Sequence, residues 1–238
     1  MRFAFFRSIG LRGIVMAGTA LLMAGCATRQ MKVGPNSCAN ALSDLRTAWG
    51  HLQIARSEPN GCADVNAGRC EQYRDRIEYI GQNCPASQEA LLASAILAYD
   101  ERNLPKSQAY LDNLLSSHRA DPEAAALRGM IAIEEGNIPF ALRFLGEQIQ
   151  VTGDHARLRE VYAAALYLSG DYTEAALQLD RASKFGAPPW RVDYGLGLIA
   201  EAMRDLPEAR KHYEAALAAR PGWALPNGRL QVLGASGK

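Results

Sequence analysis

The chain has little of what a catalyst or a nucleic-acid binder needs. Only four of its 238 residues are histidine, and His51, His118, His155 and His212 are scattered. None lies in an H-E-x-x-H pattern, and no G-x-S-x-G, G-x-x-x-x-G-K or supported S-x-x-K pattern occurs, so neither an activated nucleophile nor a phosphate cradle is written into the chain. Ser117 and His118 are adjacent, but neighbours along a helix do not face each other, and Glu134-Glu135 reads as a solvated face. No enzymatic activity, cofactor, metal or small-molecule substrate is therefore expected. Charge of one sign is also lacking. The formal net charge is +1, and removing residues 1–25, which hold three arginines and no acid, leaves −2. Such a near-neutral chain offers no basic field to nucleic acid or to acidic lipid.

Long apolar runs are absent too. An uncharged stretch from Gly13 to Gly25 follows Arg2, Arg7 and Arg12 and is shorter than the ~20 apolar residues of a permanent span. It reads as the h-region of a signal peptide over 1–25. Its end, Leu22-Met23-Ala24-Gly25-Cys26, resembles the bacterial lipobox. That resemblance implies cleavage before Cys26 and acylation of Cys26, with several acyl chains giving stable anchoring where one is marginal. Ala27, in place of the Asp associated with inner-membrane retention, implies an outer-membrane, periplasm-facing location, with residues 26–36 as a lipidated tether.

Cysteine is scarce, and with Cys26 given to lipid an even set remains: Cys38, Cys62, Cys70 and Cys84. In an exported chain that set implies disulfides. Spacings of 24, 8 and 14 residues do not suit a zinc site, and no C-x-x-C redox pair exists. Two helices are expected between these cysteines. The first runs roughly over 39–57, with Leu42, Leu45, Trp49, Leu52 and Ile54 on an apolar side, and ends at Glu58-Pro59-Asn60-Gly61. The second runs roughly over 69–82, carrying Tyr73, Ile77 and Ile80. Folded antiparallel, rods on the order of 20 to 27 Å long keep their opposite ends far beyond the ~7 Å a disulfide tolerates between Cα atoms. Only Cys38–Cys84 with Cys62–Cys70 fits, which makes residues 37–87 a stapled hairpin.

What is present is a period. Ser107, Ala141, Ala175 and Ala209 stand 34 residues apart. Four residues after each comes Leu111, Leu145, Leu179 or Tyr213, and twelve before comes Ala95, Gly129, Ala163 or Gly197, small enough for helices to approach closely. Four residues before each stands Asn103, Asn137, Asp171 or Asp205, followed two positions on by Pro105, Pro139, Thr173 or Pro207. A side chain that accepts an orphan backbone N–H, followed by Pro within the first turn, marks a helix start. Two helices per 34 residues follow, in an all-α chain.

This spacing resembles the tetratricopeptide repeat, most closely over Leu196-Gly197, Ala209-x3-Tyr213, Ala216-Leu217 and Pro221. The family's early Trp is replaced by Leu91, Ala125, Arg159 and Asp193. The resemblance implies a right-handed solenoid of four units, 88–121, 122–155, 156–189 and 190–223, capped by the hairpin in front. Residues 224–238 form the other cap, and Trp223 with Leu225, Leu230, Val232 and Leu233 suggests a short closing helix interrupted by Pro226 and Gly228. The family's inward positions fall on Leu92, Ile96 and Tyr99, on Met130 and Ile133, on Arg157, Glu160, Ala164 and Tyr167, and on Arg191, Tyr194, Leu198 and Glu201. About half of these are expected to serve inter-helix packing instead. Leu92 and Ile96 replace the Lys and Asn with which some members clamp a C-terminal carboxylate, so a protein or peptide segment laid in an apolar groove is the expected partner. The layout is similar to tetratricopeptide lipoproteins of pilus systems. It implies a non-catalytic adaptor for a pilus, secretion or polysaccharide-export machine, or alternatively an adaptor regulating peptidoglycan hydrolases.

Overall fold

Asn and Asp side chains start the second helix of every repeat. In the computed structural model the backbone N–H groups of Lys106, Phe140, Glu174 and Glu208 donate to the side chains of Asn103, Asn137, Asp171 and Asp205 at 3.1 to 3.3 Å. The first helices are capped likewise by Ser87, Asp121 and His155. The fourth instead begins on Pro188-Pro189 without a side-chain cap. The structure describes residues 37–58, 61–63 and 66–235. The expected signal peptide, Cys26 and the tether lie outside them.

The described residues form eleven helices. A hairpin of α1 (Ser37–Ser57) and α2 (Ala67–Asn83) leads into four pairs: α3 (Gln88–Asp100) with α4 (Leu104–Ser117), α5 (Pro122–Glu134) with α6 (Ile138–Thr152), α7 (Ala156–Ser169) with α8 (Tyr172–Lys184), and α9 (Pro189–Ala202) with α10 (Leu206–Ala219). Helix α11 (Ala224–Ala235) closes the array. Among the described residues no helix is long and apolar enough to cross a membrane.

Turns between paired helices repeat with the same period. The positive-φ residue is Arg102, Gly136, Gly170 or Arg204, again 34 apart. Two units therefore place arginine where glycine is the unstrained choice. The packing rule inside each pair is equally regular. A Cβ added to Gly129 would collide with Leu145, and one added to Gly197 would lie 2.5 Å from the Tyr213 ring. The small residue of the first helix thus makes the socket for the large residue of the second. Where Ser107 takes the place of alanine it is fully buried, and its hydroxyl donates to the Ala95 carbonyl at 2.8 Å, which satisfies it.

The hairpin is stapled at both ends by Cys38–Cys84 and Cys62–Cys70, with Cα separations of 5.8 and 5.7 Å. Between the staples Leu45, Ala48, Leu52 and Ala55 pack on Ile77 and Ile80, and the same core takes in Ala90 and Leu97 of α3, so the hairpin covers the face that the first repeat would otherwise expose. Burying each large aliphatic side chain here contributes roughly 1.5 to 3 kcal/mol. Ile54 is not part of this core. It is 61% exposed, because the helical period that buries positions 45, 48, 52 and 55 turns position 54 outward.

Two further sequence expectations change. Helix α11 is not interrupted, because Pro226 falls in its first turn, where a missing N–H costs no hydrogen bond. Only Leu233, with Leu230 beside it, seats on the Ala209–Tyr213 core, while Leu225 and Val232 are exposed. Residues at the family's early Trp position are still used for packing. Leu91 and Ala125 are buried, Arg159 donates to the carbonyl of Gly153 and the amide of Gln178, and Asp193 pairs with His212 at 3.1 Å.

Candidate peptide-binding groove

First helices of successive repeats lie side by side, so residues at one phase of α3, α5, α7 and α9 line one face. Along that face the gap between helices depends on side-chain size. Between α7 and α9 a cavity of about 300 Å³ opens. Helix α7 supplies Arg157, Glu160, Ala164 and Tyr167, helix α9 supplies Trp190, Arg191, Tyr194 and Leu198, and Trp223 closes one wall.

Seven of the sequence-predicted groove residues therefore meet in one place. Leu92, Ile96 and Met130 line a smaller depression of about 110 Å³ between α3 and α5. Arg157 borders both, with its Nη2 2.8 Å from the Met130 sulfur. Three predicted residues lie elsewhere. The Tyr99 hydroxyl donates to Glu134, which also pairs with Arg102, so that phenol is tied down. Ile133 packs into the core between α5, α6 and α7. Glu201 accepts from the Tyr213 hydroxyl at 2.6 Å and pairs with Arg229 at 3.3 Å, which ties α9 to α10 and α11.

Electrostatics of the cavity centre on Glu160. Its side chain is only 7% exposed, with Oε1 2.9 Å from Arg191 and Oε2 3.5 Å from Arg157. Those ion pairs keep a buried carboxylate tolerable. Oε2 nevertheless has no hydrogen-bond partner. Around it stand aromatic rings. Trp190 and Trp223 meet edge to face at 4.8 Å, and Trp223 lies 4.8 Å from Tyr194. The Arg220 guanidinium lies 4.4 Å from the Trp190 ring centroid and 5.7 Å from that of Trp223. Burial pushes the Tyr167 phenol up from its usual value.

Sequence reasoning did not place Trp190 at all and gave Trp223 to the closing helix, not to the groove. Trp190 falls on the first turn of α9 and Trp223 in the link before α11, and neither matches an inward family position. Their signal was composition: two of only three tryptophans flank the last unit. His155 caps α7 beside Glu123, and His212 sits between Asp193 and Glu208, both in structural roles. Among the described residues no group of three or more His, Cys, Asp or Glu side chains could hold a metal.

Residues 170–224 match the sequence model of the tetratricopeptide repeat. Solved structures share the wider fold. A thermophilic tetratricopeptide protein of Thermus thermophilus aligns with a TM-score of 0.64 at 17% identity, covering 81% of this chain and 98% of its own. PilF of Pseudomonas aeruginosa aligns at 0.62 and 15% identity, covering 84% and 89%. YrrB, described as a tetratricopeptide protein with an unusual peptide-binding site, aligns at 0.53 and 10% identity, covering 82% and 98%. These identities establish the fold alone. No curated protein sequence matches the chain.

Proposed function

With residues 170–224 carrying the tetratricopeptide repeat and the helix array sharing that fold, we propose that the chain is a non-catalytic scaffold. In this reading it is anchored to the outer membrane through Cys26 and holds a protein segment in its concave groove as an adaptor for an envelope machine. The observation that carries the binding reading is the open aromatic cavity between α7 and α9, a concave and mostly apolar site with few polar groups of fixed position. Repeats of this family are as a rule interaction modules rather than enzymes, and YrrB has a peptide-binding site on the same fold. The anchor rests on the lipobox-like sequence ahead of the described residues.

Photo-crosslinking from position 167 or 194 in intact cells, followed by mass spectrometry, tests the groove. Adducts with pilus, secretion or export components support the adaptor reading. Adducts with peptidoglycan hydrolases favour the alternative, and no adduct at all refutes the groove. For the anchor, Cys26→Ala should abolish acyl labelling and membrane retention, and persistent labelling would overturn it.

A further inference from the structure

We propose that the cavity between α7 and α9 is an anchor site for a single Tyr or Trp side chain presented on an acidic peptide segment. This rests on the groove reading above and names the chemistry of its ligand. At about 300 Å³ the cavity is at the small end of ligand pockets, which suits one large side chain and not a bundle of them. Its lining includes the rings of Trp190, Tyr194 and Trp223 together with Leu198, surfaces against which another aromatic ring packs offset or edge-on.

The charge around the cavity points to an anion beside that ring. Arg157, Arg191 and Arg220 stand against the single carboxylate of Glu160, a surplus of two positive charges on a chain whose total is near zero. Arg191 and Arg157 share Glu160, whereas Arg220 caps α10 and stacks on the two tryptophans, free to meet a carboxylate at the rim. Glu160 supplies the second criterion. Its Oε2, held 3.5 Å from Arg157, makes no hydrogen bond, and it belongs to a side chain more than nine-tenths buried that lines the cavity. A buried acceptor without a donor costs free energy that an entering O–H or indole N–H recovers, which Phe cannot do.

The test is fluorescence anisotropy of a labelled peptide, Gly-Asp-Glu-Tyr-Asp-Glu-Gly, against the full-length protein in detergent micelles. Binding should weaken about tenfold when Tyr is replaced by Phe, the loss of one hydrogen bond to a charged group, and further with Ala. A version with Lys in place of Asp and Glu should not bind. Trp190→Ala and the exposed Arg220→Glu should each weaken the Tyr peptide at least tenfold with unchanged circular dichroism, and affinity should fall as salt rises. Equal binding of the Lys version, no loss in either variant, or capture of a glycan in place of the acidic peptide would overturn the proposal. A photo-crosslinker at position 96, in the other half of the groove, separates the two failures. Adducts there without binding of the Tyr peptide remove only the anchor, whereas no adduct removes the groove as well.

Discussion

Gly197→Ala is the sharpest probe of how the repeats are held together. A Cβ at this position would lie 2.5 Å from Cε1 and 2.6 Å from Cδ1 of Tyr213, a side chain with no exposed surface whose hydroxyl is fixed on Glu201. Neither ring nor backbone can move freely, so overpacking should cost about 1 to 3 kcal/mol. Alanine is favoured over glycine inside a helix by about 1 kcal/mol, which offsets part of that. The expected net loss is about 0 to 2 kcal/mol, or a fall in Tm of up to about 8 °C for a domain of this size. Gly50→Ala is the control, because nothing lies within 4 Å of its Cβ position and only the helix gain remains, about 0.5 to 1 kcal/mol of stabilisation. The double variant Gly197→Ala/Tyr213→Leu recreates the pairing that Ala163 and Leu179 already make in the preceding unit. Its loss should be smaller than the two single losses together by about 1 kcal/mol, measured by urea denaturation in a double-mutant cycle. Stabilisation by Gly197→Ala equal to that of Gly50→Ala, or strict additivity in the cycle, would refute the socket argument.

Removing the Cys38–Cys84 staple, which closes a 47-residue ring, should cost about 4 kcal/mol in the chain-entropy treatment, against about 2.5 kcal/mol for the nine-residue ring of Cys62–Cys70. Urea midpoints of the two double-Ser variants should fall in that order, and the reverse order would contradict it. Burial, then the hydrogen bond to Glu134, pushes the Tyr99 phenol up to about 12 from an unfolded value near 10, so its contribution is intact below pH ~10 and is lost as pH rises from about 10 to 12. Tyr213 is pushed in the same direction by burial and Glu201. Tyr99→Phe should therefore flatten the alkaline arm of a stability–pH curve followed by circular dichroism. An arm that coincides with that of the parent chain would show that Tyr99 does not ionise on unfolding.

Features legible in the sequence were local and periodic. Asn103, Asn137, Asp171 and Asp205 announce helices because a cap acts within three residues of itself, and the hairpin ends could be matched because a disulfide tolerates so little separation. Arg102 and Arg204 hold the left-handed turn position without a glycine to signal it, since the caps and the socket pairs on either side impose the turn. Inward direction was the weaker inference. Tyr99 and Glu201 sit at inward positions but are claimed by Glu134 and by Tyr213 with Arg229, partners set by neighbouring helices and not by repeat phase. Trp190 and Trp223 escape any periodic reading because α10 lies between them, and only the folded turn after it brings their rings to 4.8 Å.

Bulk along the inner face decides where the groove is open. Between α3 and α5 the seam carries Leu92, Ile96, Leu127 and Met130, and those side chains fill it to a depression of about 110 Å³. Between α7 and α9 the corresponding seam carries Ala163, Ala164 and Gly195, and Gly195 leaves room for Leu179 to rise beneath it as a floor. The space that these small residues leave is then walled by tryptophans instead of being filled by aliphatics. A shared backbone period thus yields two unlike halves. In the first two units the inner face is spent on packing, and in the last two it is held open with its buried acceptor at Glu160. Substitutions at Ala164 or Gly195 act on the cavity, whereas those at Gly129 or Gly197 act on the solenoid that presents it.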